Sequence, residues 1–161
     1  MAGMDRIELT SATLFEALQS LAADIRADMD RIDRAGGVPT EDELVTLRNQ
    51  ILEFQSLMAV LDKALSRSRE GGTFVREIVG GISQKLLLRA LTYETAHVSR
   101  LESKRSIPLF GAVMFARDLR QLDRLADQVP TRPPELDERV NAARGALQTL
   151  IRRCPAIDEF G

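Results

Sequence analysis

Only one histidine occurs in the 161 residues, His97, and a carboxylate precedes it by three positions at Glu94, with Tyr93 one turn before it. On a helix this spacing places the carboxylate and the imidazole on one face. A Glu-x-x-His pair supplies metal ligands in di-metal helical bundles, where further inward carboxylates and usually a second such pair complete the site. A homodimer could bring the second copy across a symmetry axis. The simpler alternative is a histidine at the edge of a core, hydrogen-bonded to Glu94 or to a backbone carbonyl.

His97 also has the chemistry of a phosphate acceptor, a role that needs an exposed imidazole, and Arg100 lies one turn further on. The stretch from His97 through Ser106, Ile107, Pro108 and Leu109 resembles the phosphoacceptor helix of histidine-kinase dimerisation domains, in its proline and the apolar helix after it. The resemblance implies phosphotransfer through His97 with Arg100 beside it. The chain departs from that pattern at two positions. The family places its histidine five residues before the proline, where Ser103 stands here. Histidine phosphotransfer domains commonly carry Gly four residues after the histidine, where this chain has Leu101.

Other reactive types lack the neighbours that would activate them. Glu70-Gly71-Gly72-Thr73 and Val79-Gly80-Gly81 are not of the G-x-x-x-x-G-K-[ST] form and follow no strand, so they read as a turn and a close-packing site. Cys154 has no base beside it in sequence, although Arg152 and Arg153 would favour its thiolate. No motif points to a cofactor. Basic residues gather at Lys63, Arg67, Arg69 and Arg76, at Arg100, Lys104 and Arg105, and at Arg117, Arg120 and Arg124. The last set follows one helical face and would suit phosphates. A sequence pI of about 5.5, scarce aromatics and the interspersed Asp118 and Asp123 argue against nucleic acid.

The elements that would carry these residues are helices. Leu44, Leu47, Ile51, Phe54, Met58, Leu61 and Leu65 repeat at 3,4 spacing, which keeps a narrow seam facing one partner. The preceding helix answers with Leu14, Leu18, Leu21, Ile25, Met29 and Ile32, a looser repeat in which Asp28 takes the strict position. Gly36-Gly37-Val38-Pro39-Thr40 is short enough to fold the two back as an antiparallel hairpin, with Gly36 left-handed and Thr40 and Glu43 as a capping box. Each hairpin helix would span roughly 36–44 Å.

A third helix begins near Thr73 and carries a broad apolar arc: Val75, Ile78, Val79, Ile82, Leu86, Leu87, Ala90, Leu91, Val98 and Leu101. Such an arc marks a central helix, continuous or kinked at Gly80-Gly81. Ser106-Ile107-Pro108 starts a fourth, whose core side runs through Phe110, Val113, Met114, Leu119, Leu122, Leu125, Ala126 and Val129. Pro134 opens a fifth, with Leu136, Val140, Ala143, Leu147, Leu150 and Ile151 inward, and Pro155 ends it. No run alternates with the period of a strand.

Composition bounds the class. Six Phe, one Tyr and no Trp leave Leu, Ile, Val, Ala and Met to pack thin helix–helix seams rather than line a large pocket. One cysteine excludes an internal disulfide and favours a reducing compartment. No apolar run approaches a membrane span, and Asp5, Arg6 and Glu8 interrupt any secretory leader, so a cytoplasmic chain is expected. Charge is segregated. Residues 1–62 hold twelve acidic and five basic side chains, a net of −7, and residues 63–124 hold six and twelve, a net of +6.

These observations predict an all-α protein: an elongated bundle of about five helices with a long N-terminal, coiled-coil-like antiparallel hairpin. It would form one domain over 1–161, with the hairpin over 7–70 and three further helices over 73–155. The function they point to is a non-catalytic interaction module, such as an adaptor, chaperone or regulatory subunit. It would bind a protein partner or a second copy of itself through its apolar seams. Leu47, Phe54, Met58 and Leu61 are the seam candidates, and Arg117, Arg120 and Arg124 the charged ones. Phosphotransfer through His97 and Arg100 and metal binding through Glu94 and His97 are the alternatives.

Overall fold

The computed structural model describes residues 2–67, 72–104 and 107–154, with residues 2–10 described by backbone alone. Among them are five helices and no strand: α1 (Ala2–Arg34), α2 (Glu41–Ser66), α3 (Gly72–Glu102), α4 (Gly111–Gln128) and α5 (Pro134–Arg153). The all-α bundle expected from the apolar spacing is therefore the fold. Expectations for Arg69, Glu70, Gly71, Arg105, Ser106 and Pro155 fall outside the described residues. The chain divides into two compact units, Met1–Arg34 with Glu41–Leu86, and Ala35–Thr40 with Leu87–Gly161. The division falls inside α3, which runs unbroken through Gly80-Gly81.

In the first unit α1 packs along α2. The α2 seam is buried at Leu44, Leu47, Ile51, Phe54, Leu61 and Leu65, with Met58 half-buried. In α1 the buried set is Leu18, Ala22, Ile25, Met29 and Ile32. That spacing is a strict 4,3,4,3, so the expected loose repeat is corrected: Ala22 lies on the seam, and Leu21 sits beside it. Asp28 lies off the buried line, where Gln50 Nε2 donates to its Oδ2 at 2.9 Å and Arg31 pairs with it. Gly80 and Gly81 are exposed, and a Cβ built on either meets nothing within 4 Å. They do not serve the close packing considered for them.

In the second unit, the 35–40 turn has Gly36 at φ +111° and Gly37 at φ +82°, a left-handed backbone that glycine adopts without strain. The later half of α3 is central here. Leu87, Ala90, Leu91, Tyr93, Glu94, Thr95, His97, Val98 and Leu101 are all buried. Helix α5 buries Leu136, Val140, Ala143, Leu147 and Leu150 as its spacing predicts.

Helix α4 departs from expectation. It starts at Gly111, not at Pro108, and the Gly111 N–H donates to Pro108 O at 2.9 Å in the preceding turn. Its buried face is Gly111, Phe115, Asp118, Leu122, Leu125 and Ala126, so Phe110 and Val113 point to solvent. Gly111 explains the rotation. A Cβ there would stand 2.9 Å from Ile107 Cγ2, 3.2 Å from the Phe115 ring and 3.3 Å from Cys154 Sγ. The helix approaches on its glycine side, and the bulkier apolar residues beside it turn outward.

Helix α4 packs on α5, and Arg132 secures the joint. Its Nη1 donates to Ala126 O at 2.8 Å and to Val129 O at 3.0 Å, closing carbonyls at the end of α4. Its Nη2 and Nε donate to Asp137 Oδ1 in the first turn of α5, at 2.5 and 3.2 Å. Arg144 Nε adds a 2.7 Å ion pair to Asp123 further along.

Candidate functional site

The reactive residues come together within the second unit, in its interior. His97 retains only 4% of its exposure, and Glu94 and Asp118 are buried with it. Asp118 Oδ2 lies 3.4 Å from His97 Nε2, and Arg100 Nη2 lies 3.5 Å from His97 Nδ1. The tautomer with a proton on Nε2 suits both neighbours: Nε2–H donates to the carboxylate, and Nδ1 accepts from the guanidinium. Arg89 Nη2 donates to Tyr93 Oη at 3.3 Å one turn earlier. Sequence spacing had paired Glu94 with His97. The fold instead brings the imidazole to Asp118, twenty-one residues on, which spacing along one helix could not reveal.

This arrangement orients the histidine rather than exposing it. A phosphate acceptor needs an accessible ring nitrogen, and here both nitrogens face charged neighbours inside the protein. Arg100 is also drawn inward, its Nε buried without a hydrogen-bond partner among the described residues. Metal binding fares no better, since among the described residues no three His, Cys, Asp or Glu side chains are placed to share an ion. Cys154 is half-buried, with its Sγ–H directed to Leu150 O at 3.2 Å. The chemistry of this cluster is packing and register: a buried polar network that must be satisfied together.

The seam candidates are likewise turned inward. Leu47, Phe54 and Leu61 are buried by the chain's own helices, so none is presented to a partner. Met58 lines a cleft of about 330 Å³ with Leu61, Leu65 and Val79. Beside it Arg76 Nε donates to Asp62 Oδ1 at 2.8 Å and Nη2 donates to Ser66 Oγ at 3.0 Å. A second cleft, about 360 Å³, is walled by Ala96, Ala142 and Ala143 with Ser99, Glu102 and Arg139 at its sides. The first cleft is apolar apart from the paired Asp62 and Arg76, and the second sets Thr95, Ser99, Glu102 and Arg139 around its alanine wall.

The outer face of α4 combines exposed apolar and charged side chains. Arg117, Arg120 and Arg124 are exposed and continue a 3,4,3,4 line begun by Phe110 and Val113. At 100° per residue these five fall within about one third of the helix circumference, opposite the buried face. Leu109 and Phe110 keep 77% and 72% of their exposure, and Ile107 is exposed beside them. The surface is thus an apolar tip followed by three guanidinium groups on one line. Sequence reading identified the arginines but assigned Phe110 and Val113 to the core.

No protein-family model, curated protein or solved structure matches the chain. Its function is therefore argued from its own geometry. Among the described residues no helix is long and apolar enough to cross a membrane.

Proposed function

We propose that this chain is a non-catalytic helical interaction module that holds a protein partner on the exposed face of α4. The observation that carries this reading is the exposure of Leu109 and Phe110 at the head of the Val113–Arg117–Arg120–Arg124 line. Contiguous exposed apolar side chains rimmed by charge are typical of docking surfaces, and aromatic and arginine side chains supply much of the energy in such contacts. Affinity comes from covering the apolar tip. The arginines select an acidic partner and set its register. A helix with an apolar anchor and a line of carboxylates fits both demands. Its single cysteine suits the reducing, cytoplasmic setting expected from composition.

The test uses Leu109→Asp with Phe110→Asp. Phe110 is the N-cap of α4 and contributes no side-chain cap hydrogen bond, so Asp at that position favours the helix while removing the anchor. A partner identified by capture and reconstituted from purified components should bind the double variant at least about tenfold more weakly, the loss of about 1.4 kcal/mol. Equal binding by both proteins would remove α4 from the interface.

A further inference from the structure

Helix α2 carries a second outward face that matches α4 in spacing and has an acidic end, at Asp42 between Glu41 and Glu43, to set against the arginines of α4. Opposite its buried seam lie Asp42, Val45, Asn49, Leu52, Ser56 and Val60, all exposed. Their order is one acid first, then three apolar residues alternating with Asn49 and Ser56. On α4 the order is apolar first at Phe110 and Val113, then basic at Arg117, Arg120 and Arg124. We infer that the occupant of α4's outer face is α2 of a second copy of this chain, packed antiparallel so that Asp42 meets Arg124 and Leu52 meets Val113. This rests on the reading of α4 as a docking face and names its partner.

Three features favour a second copy in this orientation. The lengths agree: residues 42–52 and 113–124 each cover roughly 15–17 Å of helix. Orientation follows from charge. The antiparallel pairing sets the acidic first turn of α2 (Glu41, Asp42, Glu43) beside the arginines in the later part of α4. A parallel one would set those acids against Phe110 and Val113. The acidic set of α2 already stands where its own helix dipole favours it. Finally, both faces keep 3,4 spacing, the geometry of a helix–helix seam. In this register Val45 lies along the stem of Arg120, and Val60 extends past Leu52 on the side of the Leu109–Phe110 tip. The segregation of net charge, −7 in residues 1–62 against +6 in residues 63–124, then acts between copies and speeds their encounter.

The two faces are different surfaces, so the contact closes as a dimer where it is reciprocal and otherwise builds larger species. Sedimentation velocity of the full chain over a range of concentration should show reversible association that weakens as salt rises. Asp42→Arg and Arg124→Asp should each weaken it about tenfold. The chain carrying both changes, or an equimolar mixture of the two single variants, should recover it, because each restores an opposite-charge pair. Recovery also shows that the single variants are folded. Leu52→Asp should abolish association, with the helical circular dichroism signal retained. A wild-type chain monomeric at every concentration, or association indifferent to Asp42→Arg and Arg124→Asp, overturns the inference. If that monomer still loses a reconstituted acidic partner on Leu109→Asp with Phe110→Asp, only the second copy is refuted and the docking face stands. With no partner and no self-association, both readings fall.

Discussion

Asp118 Oδ2 stands 3.4 Å from Nε2 of His97, and both side chains are buried in the second unit. The carboxylate comes from α4 and the imidazole from α3, so the pair ties the rotation of one helix to the other. A helix face that buries an aspartate at its third inward position cannot be recognised by apolar spacing. The same contact that orients the histidine acts with the close approach at Gly111 to set which face of α4 is left outside.

Breaking this pair should cost stability rather than an activity. His97→Ala leaves the Asp118 carboxylate and the Arg100 guanidinium without the group between them. The expected loss is about 1.5–3 kcal/mol, the usual contribution of hydrogen bonds to charged groups. Urea unfolding of His97→Ala and Asp118→Ala, together with the double variant, measures the coupling. Losses that simply add would show that the two side chains do not interact.

Glycines in this chain should respond to alanine with opposite signs. Gly80→Ala and Gly81→Ala place a methyl in open space within a helix interior, so each should stabilise by about 0.5–1 kcal/mol. Gly111→Ala drives a methyl against Ile107, Phe115 and Cys154. It should destabilise by about 1 kcal/mol or more, since overpacking outweighs the gain in helix propensity. Thermal melts of the three variants decide the matter, and a stabilised Gly111→Ala would contradict the packing assigned to that face.

Arg132 should behave as a structural clamp. Arg132→Ala removes its bonds to Ala126 O, which keeps the Val129 N–H, to Val129 O and to Asp137, with an expected loss of about 1–3 kcal/mol. Arg132→Lys should recover little, because an ammonium lacks the planar fork that reaches both helices. Hydrogen exchange offers a local readout. In both variants, amides around the α4–α5 junction should lose protection before the rest of the second unit.

The Asp28–Gln50 bond invites a paired replacement. Gln50 Oε1 is buried without a hydrogen-bond partner among the described residues, so half of its amide already bears a desolvation cost. Asp28→Leu alone removes the acceptor from Gln50 Nε2 and should lose stability. Asp28→Leu with Gln50→Leu replaces both polar groups with apolar ones and should equal or exceed the wild type, by up to about 1–2 kcal/mol. If the double variant is no better than the single one, the pair makes a net favourable contribution.

Local chemistry alone determined a good deal of this protein. The 3,4 spacing from Leu44 to Leu65 marked α2 and its buried side, the glycines at 36 and 37 marked the turn, and Pro134 marked the start of α5. These are readable because helix periodicity, left-handed backbone and a missing N–H act within a few residues. Ala22 was overlooked because a small side chain gives a weak apolar signal, although a close seam needs one. Tertiary structure decided the rest: that His97 meets Asp118 and not an incoming ligand, that Arg132 reaches back to α4, and that Gly111 rather than Phe110 faces inward. Each depends on which surfaces approach across long stretches of chain, where burial of a polar group or a methyl is settled by the neighbour it meets. For the same reason the heptad of α2 could not show by itself that its partner was the chain's own first helix.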